Sequence, residues 1–164
     1  MEKKTGIAVY PGTFDPLTNG HVSLVKRGLD IFDKIIVGVA LHTSKTPLFN
    51  LEERVRMTRR AFNGDARIQV EPFEGLLVDY ARSQKAVAIL RGMRAVADFE
   101  YEFQMALMNR RLDRNIQTAF LMTDYKWLYI SSTLIKDVAR LGGDIHGLVP
   151  PNVEKDLYRK FGRL

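Results

Sequence analysis

The stretch 6–21 constrains the fold more than any other part of this sequence. It opens with an apolar run, 7–10, that has the composition of a buried strand. Pro11-Gly12 predicts the end of that strand, and further turn signals follow at Asp15-Pro16 and Asn19-Gly20. Apolar residues at helical spacing then predict a helix from about His21 to Phe32. A strand, a compact loop and a helix N-terminus in succession suit a bound anion such as phosphate.

The rest of the chain alternates between strand-like and helical segments. Further strands are predicted at 34–40, 68–70, 86–90 and 117–122. Further helices are predicted at 51–62, 76–85 and 99–112, after a cap at Ser131 or Ser132, and after Pro150-Pro151. This alternation predicts βα units around a parallel sheet. We therefore expect one doubly wound, Rossmann-like α/β domain over residues 1–164, with five parallel strands flanked by helices.

Two of the predicted helices have informative apolar patterns. In the helix 99–112 the apolar residues form two stripes: Phe99, Phe103 and Ala106, and Tyr101, Met105, Met108 and Leu112. A helix that is apolar on two sides lies either deep in a core or at a subunit contact. In the helix capped by Ser131 or Ser132, the residues expected to face inward are Leu134, Ile135, Val138 and Leu141.

Composition and missing motifs exclude several classes of protein. The sequence has no dinucleotide-binding glycine fingerprint, P-loop or G-x-S-x-G motif. Three histidines and no cysteine leave little material for a zinc site. The longest apolar run, 35–41, is too short to span a bilayer, and no signal peptide is evident. We expect a soluble protein, and the lack of cysteine is compatible with the cytoplasm.

The net charge of +6, from 25 basic and 19 acidic residues, leaves two interpretations open. A basic surface can bind nucleic acid, and a basic cleft can concentrate small phosphorylated substrates. The arginines are scattered and form no stripe interleaved with aromatic residues. A basic nucleic-acid module therefore remains an alternative that rests on net charge alone.

Candidate anion-binding residues follow four different predicted strands. Thr13 and His21 follow the first strand; they could be a turn residue and a helix cap, or they could position and hydrogen-bond a phosphate. Lys45 follows the second strand, either as a solvated loop lysine or as an ammonium placed over a phosphate. Arg91 and Arg94 follow the fourth strand and suit bidentate phosphate contacts, although solvated charge is the simpler alternative.

The fourth feature follows the fifth strand. The segment 127–133, W-L-Y-I-S-S-T, ends in three hydroxyl residues at a helix N-terminus, where one cap would suffice. Glu102, on the preceding helix, could hold a ribose hydroxyl or pair with an arginine. Because carboxyl ends of parallel strands share one sheet edge, these features together predict a nucleotide site.

These motifs resemble those of the bacterial phosphopantetheine adenylyltransferases. The matching segments are Y-P-G-T-F-D-P-x-T-N-G-H, S-K-x-P, R-G-M-R-A-V-A-D-F-E-Y-E and I-S-S-T-L-I-K, and the likeness covers essentially the whole chain. The resemblance implies adenylyl transfer from ATP to 4′-phosphopantetheine, giving dephospho-CoA and pyrophosphate in coenzyme A biosynthesis. It also implies Mg²⁺ held mainly by the ATP phosphates, a homohexamer and feedback inhibition by coenzyme A. Neither nucleic acid nor a membrane is expected as a partner.

The resemblance also assigns site residues by position. Expected substrate contacts are Thr13, Lys45, Leu77 and Arg91. Expected ATP contacts are Thr13, Phe14, His21, Gly92, Met93, Arg94, Glu102, Trp127, Leu128, Tyr129, Ile130, Ser131, Ser132 and Thr133. The segment 124–129 lies in the most variable part of the family, so its side-chain contacts stay open. Expected catalytic residues are His21, Lys45 and Arg91.

The expected chemistry needs no general base, because the nucleophile is a phosphate oxygen that is already ionised near neutral pH. Catalysis then consists of aligning two anions and stabilising charge at the α-phosphate. We expect His21 to hydrogen-bond the α-phosphate in the transition state, Lys45 and Arg91 to hold the attacking phosphate, and Arg94 with 131–133 to hold the β- and γ-phosphates. Another adenylyl- or cytidylyltransferase would share His21 and the serine turn but would need a different acceptor pocket.

Overall fold

The computed structural model describes residues 6–43 and 46–163. Its strands are β1 (Ile7–Gly12), β2 (Lys34–Ala40), β3 (Ile68–Phe73), β4 (Ala88–Met93) and β5 (Gln117–Met122). Its helices are α1 (Asn19–Gly28), α2 (Leu51–Ala61), α3 (Leu77–Ser83), α4 (Val96–Leu112), α5 (Ser132–Arg140) and α6 (Pro151–Lys160), with a 3₁₀ turn at Tyr125–Trp127. The predicted alternation of strands and helices is confirmed.

Three strands extend further toward the site than the sequence predicts. β1 continues through Pro11 to Gly12, because both residues keep their parallel register with β2. β3 reaches Phe73 rather than ending at residue 70. β4 begins at Ala88 and includes Arg91, so this arginine lies on the strand itself and not in the loop after it. The edge of the sheet therefore carries residues that the sequence assigned to loops.

All five strands are parallel, in the spatial order β3-β2-β1-β4-β5. The chain builds outward from β1 to β3 and then returns to the other side of β1, so the strand order reverses between β1 and β4. These two strands pair only at Ala8–Ala88 and Val9–Ile89, whereas β1 and β2 stay paired up to Gly12. The carboxyl ends of β1 and β4 thus border a crevice, which is the usual ligand position in an open α/β sheet.

The core covers both faces of the sheet, as a doubly wound fold requires. One face packs against α1, α2, α5 and α6, through residues such as Leu24, Met57, Ile135 and Leu157. The other face packs against α3, with Val78 and Ala81 contacting the Val9, Ile36 and Ile89 side of the strands. Because both faces are covered, the sequences of β1 and β2 are largely continuous apolar runs and do not alternate between apolar and polar residues.

The predicted inward face of α5 is partly wrong. Ile135 is buried and Val138 packs against the core, but Leu134 and Leu141 are 43% and 80% exposed. The buried pair of this helix is Ile135 and Ala139, spaced four residues apart. Leu134 lies about 100° around the helix from Ile135, and Leu141 lies beyond the helix end, so neither can reach the same contact.

Helix α4 leaves both of its predicted apolar stripes exposed in the single chain. Exposed residues on this helix are Phe99, Tyr101, Phe103, Met105, Leu107, Met108 and Leu112. Placement deep within the core of one chain is therefore wrong, and a subunit contact stays the prediction. Within the described residues, no helix combines the length and apolar character needed to cross a membrane.

Candidate active site at the sheet switch point

A capping box at the start of α1 fixes the orientation of His21. Thr18 is the N-cap: its hydroxyl lies 3.5 Å from the backbone nitrogen of His21, and its own backbone N–H donates to the His21 Nδ1 at 2.9 Å. A backbone N–H can only donate, so Nδ1 is an acceptor, and the proton of the neutral imidazole is on Nε2. The sequence left two roles for His21 as alternatives, a helix cap and a hydrogen-bond donor to a phosphate. One side chain can fill both roles, because the cap uses Nδ1 and leaves the Nε2–H free to donate.

His21 enters the site as a neutral hydrogen-bond donor. Burial, together with the positive charges of Arg94 and Arg91, lowers its pKa from 6.5 to about 4. Its ring packs edge-on against Phe14, at 5.3 Å between ring centroids. Its Nε2 forms no hydrogen bond within the described part of the chain, so this N–H is available to an anion.

His21 lines a cavity of about 350 Å³ in the crevice between β1 and β4. The cavity walls come from the ends of β1, β4 and β5, the start of α1, the first turn of α4 and the N-terminus of α5. Predicted site residues among them are Phe14, His21, Arg91, Gly92, Arg94, Glu102, Trp127, Ile130, Ser131, Ser132 and Thr133. The fold thus brings together residues from five separate segments of the sequence.

Aromatic side chains form one wall of this cavity. Phe14 packs edge-on against Tyr10, at 5.5 Å between ring centroids, and adopts a left-handed backbone with φ of 48°. A Cβ atom on Gly12 would lie 2.7 Å from the Phe14 ring, so glycine leaves the room that this ring occupies. Burial raises the pKa of the Tyr10 hydroxyl well above its ordinary value, against the nearby charges of Arg91 and Arg94. This hydroxyl therefore stays neutral in the cavity.

Arg91 is held in place by Glu102. Its Nε and Nη2 donate to the two carboxylate oxygens of Glu102 at 2.8 and 2.5 Å, and its Nη1 donates to the Pro11 carbonyl at 3.2 Å. Burial lowers the pKa of Arg91, but its bonds to Glu102 outweigh this, so its pKa lies above the ordinary value. These bonds use three of five N–H groups and leave donors for a ligand. Of the two roles predicted for Glu102, the structure shows the arginine pair.

Arg94 connects β4 to the start of α5. Its Nη1 donates to the Ile130 carbonyl at 3.1 Å, and its Nε lies 3.4 Å from a carboxylate oxygen of Asp98. Ile130 directly precedes the α5 cap, so this bond places the Arg94 guanidinium beside the helix N-terminus. A cation and a positive dipole end together favour a multiply charged anion.

The three consecutive hydroxyls before and within α5 have three different roles. Ser131 is the N-cap, and its Oγ accepts from the Leu134 N–H at 3.1 Å. Ser132 donates from its Oγ to the Pro16 carbonyl at 2.7 Å, which ties α5 to the loop before His21. Thr133 lines the cavity. The surplus hydroxyls noted in the sequence thus serve structure as well as the site.

A second, smaller cavity of about 140 Å³ adjoins the first. Its lining includes Leu77 at the start of α3, Tyr101, Met105 and Asn109 on α4, and Thr118 on β5. Arg91 and Glu102 line both cavities. An anion bound at Arg91 can therefore belong to a ligand whose apolar part lies in the second cavity while a nucleotide occupies the first.

Some predicted contacts lie away from the cavities. Leu128 and Tyr129 are exposed. Neither cavity is lined by these two residues, by Met93 or by Thr13. Thr13 instead accepts a hydrogen bond on its carbonyl. Lys45 lies outside the described residues, so its predicted role stays a prediction.

Lining residues that the sequence predictions omitted include Tyr10, Thr18, Asp98 and Thr123. Two of them were within reach of sequence reasoning. Thr18 stands in the T-N-G-H end of the first matching segment, and Asp98 lies in the segment R-G-M-R-A-V-A-D-F-E-Y-E, four residues after Arg94. Thr123 follows β5 with no motif to mark it.

The described residues offer no ready metal-ligand cluster. No group of three or more His, Cys, Asp or Glu side chains there is placed to hold a metal ion. The two carboxylates of the first cavity, Asp98 and Glu102, face Arg94 and Arg91 instead. The donor groups of this cavity therefore suit an anion.

A parallel sheet with a site suited to phosphate at its switch point and a histidine donor is consistent with a nucleotidyltransferase. In agreement, residues 9–138 match the family model described as cytidylyltransferase-like. Within that class, the chain belongs to the phosphopantetheine adenylyltransferase family. It is 67% identical over 156 residues to the phosphopantetheine adenylyltransferase of Oleidesulfovibrio alaskensis, covering 95% of this chain and 92% of that protein.

Two further relatives support the same family. The phosphopantetheine adenylyltransferase of Nitratidesulfovibrio vulgaris is 65% identical over 163 residues, which is 99% of this chain and 88% of that protein. That of Lawsonia intracellularis is 58% identical over 160 residues, covering 98% and 93%. The family resemblance inferred from the motifs is confirmed, and the likeness extends across nearly the whole chain.

Proposed function

We propose that this chain transfers the adenylyl group of ATP to the phosphate of 4′-phosphopantetheine, producing dephospho-CoA and pyrophosphate. The observation that carries the proposal is the pair of adjoining cavities that share Arg91. One cavity offers the His21 N–H, Arg94 and a helix N-terminus to a nucleotide triphosphate. The other offers Leu77 and the apolar side of α4 to a pantetheine arm, with its phosphate at Arg91.

The nucleotide part of the site supports an in-line attack. The β- and γ-phosphates lie at the N-terminus of α5 and at Arg94, where backbone N–H groups and a guanidinium are already ordered. The acceptor phosphate oxygen attacks the α-phosphorus, its bond to phosphorus forms, and the bond to the pyrophosphate leaving group breaks. No proton has to be removed from the nucleophile, since a phosphate is already ionised near neutral pH.

In this proposal His21 stabilises the transition state by donating a hydrogen bond from its Nε2–H to an oxygen of the α-phosphate. The Thr18 cap holds the ring by Nδ1, so the donor needs no reorientation when charge develops. Lys45 and Thr13 complete the contacts to the acceptor in this proposal. Both assignments rest on their positions in the family motifs.

Mg²⁺ is part of the proposal as the ion that accompanies ATP. The carboxylates of the first cavity are bonded to arginines, which supports a metal carried mainly by the triphosphate oxygens. When bound, such an ion supplies electrostatic neutralisation of the phosphates. The residues derived above, His21, Arg91 and Arg94, then orient the two anions.

We also propose a homohexamer in the cytoplasm, with coenzyme A as a feedback inhibitor. The support for self-association is α4, whose Phe99 and Phe103 rings stack at 5.6 Å on an exposed apolar surface. The subunit number and the cytoplasmic location come from the family resemblance. Coenzyme A contains both a pantetheine arm and an adenine nucleotide, so it fits competition at the two adjoining cavities.

The acceptor is tested by offering a panel of phosphorylated compounds with ATP and Mg²⁺. We expect 4′-phosphopantetheine to give a product with the mass of dephospho-CoA, and nicotinamide mononucleotide, glycerol phosphate and duplex DNA to give none and not to compete. Adenylylation of another compound in the panel, with none of 4′-phosphopantetheine, would overturn the assigned acceptor. It would leave the nucleotidyltransferase class in place.

A further inference from the structure

Asp15 is a buried carboxylate beneath the candidate site, 5% exposed, that none of the proposed steps uses. Its two oxygens accept from the backbone N–H groups of Leu48 and Phe49, each at 2.9 Å. The Lys136 ammonium donates to the same carboxylate at 2.6 Å. One side chain in the loop before His21 thus binds the segment preceding α2 and the middle of α5.

Arg54 makes a parallel set of bonds from α2. Its side chain is 1% exposed, and it donates to the carbonyls of Thr13, Ala40 and Phe49 at 2.8, 2.9 and 3.1 Å. These carbonyls lie in the loop after β1, at the end of β2 and just before α2. Burial lowers the pKa of Arg54, against the charge of Asp15, yet an arginine stays protonated in a protein. A buried cation with three carbonyl partners fixes those three segments relative to one another.

Helix α5 makes a second contact with this loop one turn before Lys136, through Ser132. Ser132 and Lys136 are four residues apart and share a helix face. Ser132 bonds the Pro16 carbonyl while Lys136 bonds the neighbouring Asp15 carboxylate. Helix α5 is therefore attached at two points, its first residue and its middle, to Pro16 and Asp15 in the loop before the Thr18 cap.

We propose that Asp15, Arg54 and Lys136, hereafter the Asp15 network, are positioning residues for adenylyl transfer. They hold three parts in one arrangement: the loop that ends at His21, helix α5 and the segment that precedes α2. The first two carry the proposed contacts to the α-phosphate and to the β- and γ-phosphates. The network therefore sets the distance between the transition-state donor and the anchored leaving group, and it touches neither substrate.

The kinetic test of this inference, which rests on the proposed function, compares Lys136→Met, Lys136→Arg and Asn152→Ala. Asn152 is the matched control, because it donates to the Met57 carbonyl at 3.0 Å between α6 and α2, away from the cavities. We expect Lys136→Met to lower kcat by about 10- to 100-fold with the KM for ATP within about threefold of wild type. Lys136→Arg should recover most of the loss, and Asn152→Ala should lower the melting temperature but keep kcat.

A charge-free double variant separates positioning from stability. Lys136→Met alone leaves a buried carboxylate without its counter-ion, and Asp15→Asn in the same chain removes that charge. If the pair only stabilises the fold, the double variant regains both melting temperature and turnover. We expect it to regain only part of the melting temperature while kcat stays low. The Leu48 and Phe49 N–H groups donate to different oxygens of Asp15, and an amide keeps only one oxygen. Wild-type kcat in Lys136→Met, or recovery of kcat in the double variant, would overturn the inference.

Hydrogen exchange supplies a readout that does not depend on the acceptor. In Lys136→Met without substrates, we expect faster exchange of the backbone amides of Asp15, Leu17, Thr18, Leu48 and Phe49 and unchanged exchange in β1 and β2. Uniformly faster exchange would mean plain destabilisation and would also overturn the inference. If the wild type failed to use 4′-phosphopantetheine, the proposed function would fall, and exchange would still decide the role of the Asp15 network.

Discussion

The depressed pKa of His21 predicts a specific acid sensitivity of the fold. The group has a pKa of about 4 in the folded chain and about 6.5 when unfolded, so below pH 6.5 the unfolded state binds more protons. The contribution of His21 to the free energy of unfolding is therefore fully present above pH 6.5 and is lost as the pH falls toward 4. Between pH 7 and pH 5 the loss from this one residue is ~2 kcal/mol, from 1.36 kcal/mol per pKa unit.

The perturbation that isolates this effect is His21→Gln. A glutamine at N3 can still accept the Thr18 backbone N–H in a capping box, but it does not titrate. Urea unfolding of wild type and variant at pH 7 and pH 5 gives four free energies of unfolding. We expect the wild type to lose ~2 kcal/mol more than the variant over this interval. Carboxylates that titrate below pH 5 are common to both chains and cancel in the difference.

Wild type and His21→Gln would refute this prediction if both lost the same free energy of unfolding between pH 7 and pH 5. Such a result would mean that His21 binds its proton as easily in the folded chain as in the unfolded one. It would also remove the argument that the histidine meets ATP as a neutral donor. A larger loss in His21→Gln than in the wild type would contradict the sign of the effect.

Three further predictions concern the acceptor, the metal and the assembly. Glu102→Gln should raise the KM for 4′-phosphopantetheine by on the order of tenfold in initial-rate assays, because Arg91 loses its charge-assisted anchor; an unchanged KM would speak against the shared arginine. Chelation with EDTA should stop pyrophosphate release, and excess Mg²⁺ should restore it. Release that continues without a metal would contradict the proposed role of Mg²⁺. Phe103→Asp should reduce the mass measured by light scattering to that of the monomer, since it places a charge on the exposed apolar surface of α4; a wild-type monomer at micromolar concentration would refute self-association.

The element order and fold class were predictable from sequence because they depend on local patterns. Periodicity, capping residues and turn signals located the five strands and six α-helices of the described residues. The errors lie where tertiary context decides. Pro11 looked like a strand end, but β2 keeps it in register. Leu134 looked inward, but the contact belongs to the stripe of Ile135 and Ala139.

The candidate site was predictable as a set of residues but not as a set of bonds. Motif spacing identified His21, Arg91, Arg94 and the α5 N-terminus, and the fold brings them to one cavity. The pairing of Arg91 with Glu102 joins residues eleven positions apart and was only one of two options. The Asp15 network joins residues up to 121 positions apart, so no local pattern could reveal it.

The central claim is that His21 assists adenylyl transfer to 4′-phosphopantetheine. The most direct test measures pyrophosphate release from ATP and Mg²⁺, with and without this acceptor, for wild type and His21→Ala. We predict release that requires the acceptor and falls by about 10²- to 10³-fold in the variant, the usual cost of losing one transition-state donor. Acceptor-dependent release that persists at the wild-type rate in His21→Ala would contradict the mechanism, and release that ignores the acceptor would contradict the function.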